Sequence, residues 1–238
     1  MPQTPDKPRS QPLPLLAVLC LMTLCCPECQ SDRLTQAKKL LEGGDFLSAR
    51  KIYSRIAESR PDDYAVRYGL GMTWCAEAIY KTEIGIAGPQ DWYPAIYEMT
   101  VATHLDTGKE VRGTLAILHY NLGACFKKAG NREEAVRRIR HAVSCDSTLL
   151  KAYNLLGALY QEQGDLDNAD LSYRHALLLK PDYSPAHFNR GSLAWARGDY
   201  AAAEKCFQDA VTCEPQNANF SGWLEKARKA AAAGAGGR

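Results

Sequence analysis

LKAYNLLGALYQEQGDLDNADLSYRHALLLKPDY, residues 150–183, runs directly into SPAHFNRGSLAWARGDYAAAEKCFQDAVTCEPQN, residues 184–217, and the two 34-residue stretches share one skeleton. Gly157 aligns with Gly191, Gly164-Asp165 with Gly198-Asp199, Ala169 with Ala203, Tyr173 with Phe207, Ala176 with Ala210 and Pro181 with Pro215. One period upstream the same places hold Gly123, Gly130, Ala135, Ile139, Ala142 and Ser147. Each place has a physical reason. Gly-Asp gives a tight turn, with Gly accepting the left-handed conformation and Asp capping the next helix. Small residues at Gly157 and Ala176 let two helices cross closely, and a ring at Tyr173 fills the space beside the crossing. Pro181 and Pro215 end the second helix of each hairpin.

This pattern resembles the tetratricopeptide-repeat family, whose 34-residue unit is a helical hairpin. The resemblance extends to exported, lipoprotein-like bacterial members, and it implies an all-α, right-handed superhelical solenoid. No single hairpin buries its own apolar face, so neighbours must stack. Upstream, Ala37, Gly44-Asp45-Phe46, Ala49, Tyr53 and Pro61 make a further unit. Leu70-Gly71, Trp74, the run Asp91 to Ala95, Met99 and Ala102 make another that carries a surplus. Gly71 and Gly123 lie 52 apart, with 12 surplus residues before Ala95 and 6 after it. The first surplus is expected to lengthen a helix to about Glu83 and add a loop over 85–90. Units are therefore expected at about 31–63, 64–109, 110–149, 150–183 and 184–217. A capping helix over 218–233 places Phe220, Trp223, Leu224 and Ala227 on one side, and 234–238 closes an Ala-Gly tail that begins near Ala230. The expected architecture is thus five hairpins plus a cap, with insertions emerging on one face.

Before residue 31 the chain reads as a targeting segment. Lys7 and Arg9 precede an apolar run of 14 residues, Leu13 to Cys26, shorter than the ~20 needed to span a bilayer comfortably. A secretory or lipoprotein-like signal over 1–30 is the expectation, with a periplasmic or membrane-anchored mature protein. An uncleaved start on a cytoplasmic adaptor is the alternative. Neither Cys25 nor Cys26 follows the small residue expected before a lipidated Cys. Cys26 and Cys29 form one CxxC, which supports a thiol-active or accessory role as a second alternative.

With 29 Lys and Arg against 27 Asp and Glu, the +2 net charge argues against a dedicated nucleic-acid binder. An apolar content of 46% excludes global disorder. The chain has no GxSxG, HExxH or phosphate-cradling Gly loop, and its five His fall on recurrent repeat positions or singly rather than in a constellation. No enzyme activity, cofactor, metal or small-molecule substrate is expected. Cys75, Cys125, Cys145, Cys206 and Cys213 occupy helical positions that suit apolar filler, although an exported chain would make Cys125–Cys145 and Cys206–Cys213 pairs worth testing.

The resemblance implies that the first helix of each hairpin lines a concave groove. Its inner stripe at i, i+4 and i+7 contains Tyr68 and Met72, then Tyr120 and Lys127, then Asn154 and Gln161, then Phe188, Ser192 and Trp195. Rings, Met and amides where solubility alone would favour charges point to a groove that holds a peptide segment of another protein. Some members of the family clamp a C-terminal carboxylate with Lys and Asn on successive inner helices. Asn121 and Lys151 sit at corresponding places beside Tyr68 and Met72, so most of that clamp is missing. Charge is also uneven: 62–110 holds eight acids and three bases, whereas 111–141 holds seven bases and two acids, four of them Arg on one helix. Complementary adjacent hairpins account for this, and an anionic partner on the Arg-rich helix is the rival reading.

Overall fold

At each Gly-Asp or Gly-Asn pair the chain doubles back in the computed structural model, which describes residues 27–235 and side chains from 31 to 233. Eleven α-helices and one 3-10 turn make up the described residues. They are α1 Pro27–Glu42, α2 Phe46–Ser59, α3 Tyr64–Glu83, α4 Tyr93–Leu105, α5 Lys109–Lys128, α6 Arg132–Cys145, α7 Leu150–Glu162, α8 Leu166–Leu179, α9 Ser184–Ala196, α10 Tyr200–Cys213 and α11 Ala218–Ala235. Gly44, Gly130, Gly164 and Gly198 adopt φ between +76° and +82°, a region costly to residues with a Cβ. The residue after each, Asp45, Asn131, Asp165 or Asp199, accepts the N–H three residues on, satisfying a donor that a helix start leaves open.

The hairpins close on the small residues. A Cβ at Gly157 would lie 2.5 Å from the Tyr173 ring, one at Gly191 2.6 Å from Phe207, and one at Gly123 2.6 Å from Ile139. Gly71 stands in the same relation to Met99, at 2.9 Å, although the surplus separates them by 28 residues instead of 16. The small-residue crossing thus survives the insertion. Consecutive helices pack along the chain, and the first helices α1 and α3, α5 and α7, and α7 and α9 touch from unit to unit. Buried side chains form a row of separate clusters rather than one core, as nearest-neighbour stacking requires. The molecule is an all-α repeat solenoid.

The surplus residues act at one joint. α3 runs to Glu83, and the loop beyond it is pinned back when Asp91 accepts from Lys81 Nζ at 2.8 Å and from the Gly88 N–H at 2.8 Å. The 3-10 turn Pro89–Asp91 then touches α3, α4 and α5 together, and Trp92 enters the core behind it at 1% exposure.

Two details differ from expectation. α11 continues through Ala235, because a run of Ala favours helix even with little to pack against. α1 is described from Pro27, four residues before the expected unit. The expected signal over 1–30 otherwise lies outside the described residues, as does Cys26 of the CxxC.

Candidate functional site

The residues expected on the inner stripe all lie on first helices, and they are engaged differently along the stack. Tyr68 and Met72 line a cleft of about 500 Å³ between α1 and α3, together with Leu34, Leu41, Tyr64 and Glu110. Tyr68 stacks on Tyr64 with ring centroids 5.7 Å apart, and its hydroxyl donates to Glu110 Oε1 at 3.0 Å. Burial and the neighbouring Glu110 raise the Tyr64 phenol above its ordinary pKa, and burial raises that of Tyr68. Both stay neutral, amphipathic rings at physiological pH. Such surfaces combine apolar area with a hydrogen-bonding edge.

Further along, the stripe is tied up. Tyr120 packs against the cluster of Ile139 and Leu156. Lys127 Nζ pairs with Glu162 Oε1 at 2.9 Å, and Arg132 reaches the same carboxylate at 3.4 Å. Burial pulls the Glu162 carboxyl upward, but the two cations outweigh it and hold it below the usual range. Asn154 Oδ1 accepts from Asn189 Nδ2 at 2.9 Å, and Gln161 Oε1 accepts from Tyr173 at 3.0 Å. Ser192 donates to the carbonyl of Phe188 at 3.1 Å within its own helix. Gln161 therefore serves the hairpin crossing as well as the inner face.

Phe188 and Trp195 require a correction. Phe188 stacks on Phe220 at 4.9 Å and leans on Phe207 at 5.4 Å, while Trp195 meets Tyr200 at 4.9 Å and Trp223 at 5.6 Å. Both rings are half-buried in the cluster that seats α11. Their place in the inner stripe is occupied by the cap, so they hold the end of the solenoid together and do not stand as open anchors.

The Arg-rich helix is largely self-compensated. Arg137 and Arg138 both pair with Glu134 one turn away, and Arg138 also lies over the Tyr93 ring at 5.5 Å. His119 is buried against His141 with ring centroids 5.3 Å apart. Burial, then the positive field of His141 and Arg138, lowers its pKa to about 4. The same places one and two repeats on hold Tyr153 stacked on His175 at 5.3 Å, and His187 beside Asp209 at 3.8 Å. A spacing of 22 residues between these partners is the sequence signal for this recurring contact.

Burial raises the thiols of Cys145, Cys206 and Cys213 and pushes Cys75 up to about 11, opposite to the shift a nucleophile needs. Cys206 and Cys213 share α10 two turns apart, about 10 Å along the axis, too far for a disulfide. Cys125 and Cys145 border one apolar cluster from different helices as free thiols. No group of three or more His, Cys, Asp or Glu among the described residues is placed to hold a metal ion. No described helix is long and apolar enough to cross a membrane.

A helical hairpin stack with one open flank defines a repeat solenoid. The tetratricopeptide-repeat family profile matches residues 34–75 and 154–218. The solved structure of MamA is 24% identical, covers 80% of this chain and 94% of its own, and superposes with a TM-score of 0.55. YrrB, a protein described as having an unusual peptide-binding site, is 16% identical over 91% of this chain and 98% of its own, with a TM-score of 0.56. A MamA from Desulfovibrio magneticus RS-1, residues 41 to its end, reaches 17% identity over 79% and 97%, with a TM-score of 0.53. No curated protein matches the chain by sequence. The two matched stretches carry tetratricopeptide repeats, and the fold is that of a tetratricopeptide-repeat solenoid.

Proposed function

We propose that this protein is a non-catalytic interaction scaffold of the bacterial cell envelope that holds a segment of a partner protein on the face made by its first helices. The observation that carries the reading is the cleft of about 500 Å³ between α1 and α3, lined by the half-buried side chains of Tyr64, Tyr68 and Met72. Aromatic rings and Met in a partly enclosed cleft are the side chains from which peptide-binding energy is usually drawn. The description of the fold neighbour YrrB as peptide-binding is consistent with it. The envelope location rests on Lys7, Arg9 and the apolar run Leu13 to Cys26, with lipid attachment as one form of it.

Binding is tested by titrating a captured partner segment against wild type and a Tyr68→Ala/Met72→Ala variant. Loss of about 2 kcal/mol with unchanged circular dichroism is expected. Full affinity in that variant would move the site away from α1 and α3. Location is tested by mass spectrometry of the mature N-terminus. Cleavage before about residue 31, with or without a lipid mass, supports export, and an intact Met1 on soluble protein overturns it.

A further inference from the structure

The two ends of the solenoid are finished differently. At the C-terminal end α11 covers the last hairpin and takes up the rings of Phe188 and Trp195. At the other end α1 and α2 pack on each other and on α3, and no described helix precedes them. Arg33 and Gln36 sit on a different side of α1 from Leu34, Lys38 and Leu41, which line the cleft toward α3. With Lys51, Arg55 and Glu58 of α2 they border a shallow concavity of about 650 Å³. Arg50, on the same border, is committed to Glu77 and to the Trp74 ring. Arg33, Lys51 and Arg55 make no ion pair or side-chain hydrogen bond among the described residues. Residues 31–60 as a whole hold seven bases against four acids, beside the acidic block 62–110.

We infer that this end of the first hairpin rests on an anionic lipid surface. The inference rests on the envelope reading and names the part of the molecule that meets the membrane. Position and charge together select this occupant. The apolar run Leu13 to Cys26 stops immediately before Pro27, from which α1 is described. A membrane that holds the run, or a lipid attached at its end, brings the first turns of α1 to the headgroups. Arg33 lies six residues beyond Pro27, about 9 Å along the helix. The unpaired cations of Arg33, Lys51 and Arg55 complement phosphodiester headgroups, and each base near such a surface raises partition about fivefold. One acyl chain alone gives only marginal, reversible attachment, so a basic face beside it supplies the second signal that stable attachment takes. A second copy stacked end to end is disfavoured, because α11 carries Lys226, Arg228 and Lys229 against Glu225 and would meet a basic face with another.

The test measures how the full-length protein, in the processed form in which it is purified, partitions onto two kinds of vesicle. One is phosphatidylcholine alone, and the other contains about one third phosphatidylglycerol. The ratio of the two partition constants isolates the charge contribution, since a lipid or apolar anchor enters both alike. At low salt the ratio should be about a hundredfold, and it should collapse at high salt. Arg33→Gln with Arg55→Gln should lower it about twentyfold while helical circular dichroism is unchanged. Arg33→Lys with Arg55→Lys should preserve it, because a lipid surface reads charge and not the forked geometry of a guanidinium. Arg174→Gln with Lys205→Gln removes the same charge from exposed positions on α8 and α10 and should leave the ratio unchanged. A ratio near one in the wild type, or equal loss in the two Gln pairs, overturns the inference. So does loss of binding when chloride is exchanged for inorganic phosphate at equal ionic strength, which would mark a site for free phosphate. Export itself is read independently from the mass of the mature N-terminus, so failure of the lipid contact and failure of the envelope reading are told apart.

Discussion

The C-terminal hairpins and the second unit use the same repeat to opposite ends. From α7 to α11 the period is undisturbed, first helices touch, and the inner-face rings of Phe188 and Trp195 are consumed by the cap helix. Around α3 the period is broken by 18 residues, a short turn wedges between first helices, and clefts remain on both flanks of α3. Nearest-neighbour stacking explains the contrast. A regular repeat presents to its neighbour a surface already shaped to cover it, so apolar groups on that surface become packing. An irregular unit cannot be covered fully, and what stays open is available to another chain. The cleft proposed to hold a partner segment thus borders the unit in which the repeat is broken.

The largest expected effect probes the regular half. Gly157→Leu must place its side chain where the Tyr173 ring sits, at 2.5 Å from the first added carbon, and should destabilise by about 3 kcal/mol. Gly222→Ala, where a Cβ meets nothing within 4 Å, should be neutral or slightly stabilising. Urea midpoints followed by helical circular dichroism would distinguish the two. Equal effects would break the idea that the hairpin crossing dictates the small residue.

Next comes the joint with α11. Phe188→Ala removes a ring that stacks on Phe220 and Phe207 and should cost about 2 to 3 kcal/mol, reduced from the full core value because the ring is only half-buried. Tyr68→Ala in the open cleft should cost clearly less stability but more partner affinity. If the two substitutions exchange these signatures, the division between consumed and open aromatics is wrong.

His119 gives a pH-dependent version of the same test at the third unit. Its folded pKa of about 4 lies below the ordinary value of 6.5, so the folded state favours the neutral ring. The stabilisation is complete above the unfolded pKa and is lost as pH falls from about 6.5 toward 4. Between pH 7 and 5 that amounts to about 2 kcal/mol. His119→Leu should flatten the decline in unfolding free energy over that window, and an equally steep decline in that variant would exclude His119 as its source.

The periodic features were legible because each is dictated locally. A Gly followed by Asp or Asn turns and caps within four residues, and a Gly 16 residues before a ring marks a crossing within one hairpin. The surplus was legible as a count, and the end of α3 at Glu83 followed from it. The destination of Trp92 was not, because nothing local distinguishes a ring that enters the core from one that stays on a loop. The fate of Phe188 and Trp195 was hidden for a related reason. The inner-stripe rule assumes an open face, and at the end of the array a cap lies over it. Asn154 with Asn189 joins different units, and a stripe read one helix at a time does not reveal such pairing.

The smallest expected effect concerns the Arg-rich helix α6. Glu134 there holds both Arg137 and Arg138, and Arg137 is the more exposed partner, its side chain 65% accessible. Arg137→Ala leaves Glu134 its bond from Arg138 Nε at 2.6 Å, so the carboxylate is never orphaned. An exposed ion pair of this kind is worth a few tenths of a kcal/mol, and stability should change by less than about 0.5 kcal/mol. Binding should respond as little, because α6 is the second helix of its hairpin and the cleft proposed to hold the partner is walled by first helices and by Tyr53 beside them. A shallow change in the salt dependence of association is the residue of its charge. Should Arg137→Ala instead abolish partner capture while Tyr68→Ala leaves it intact, the partner would be an anionic surface docking on α6. The break in the repeat would then be an elaboration without a binding role.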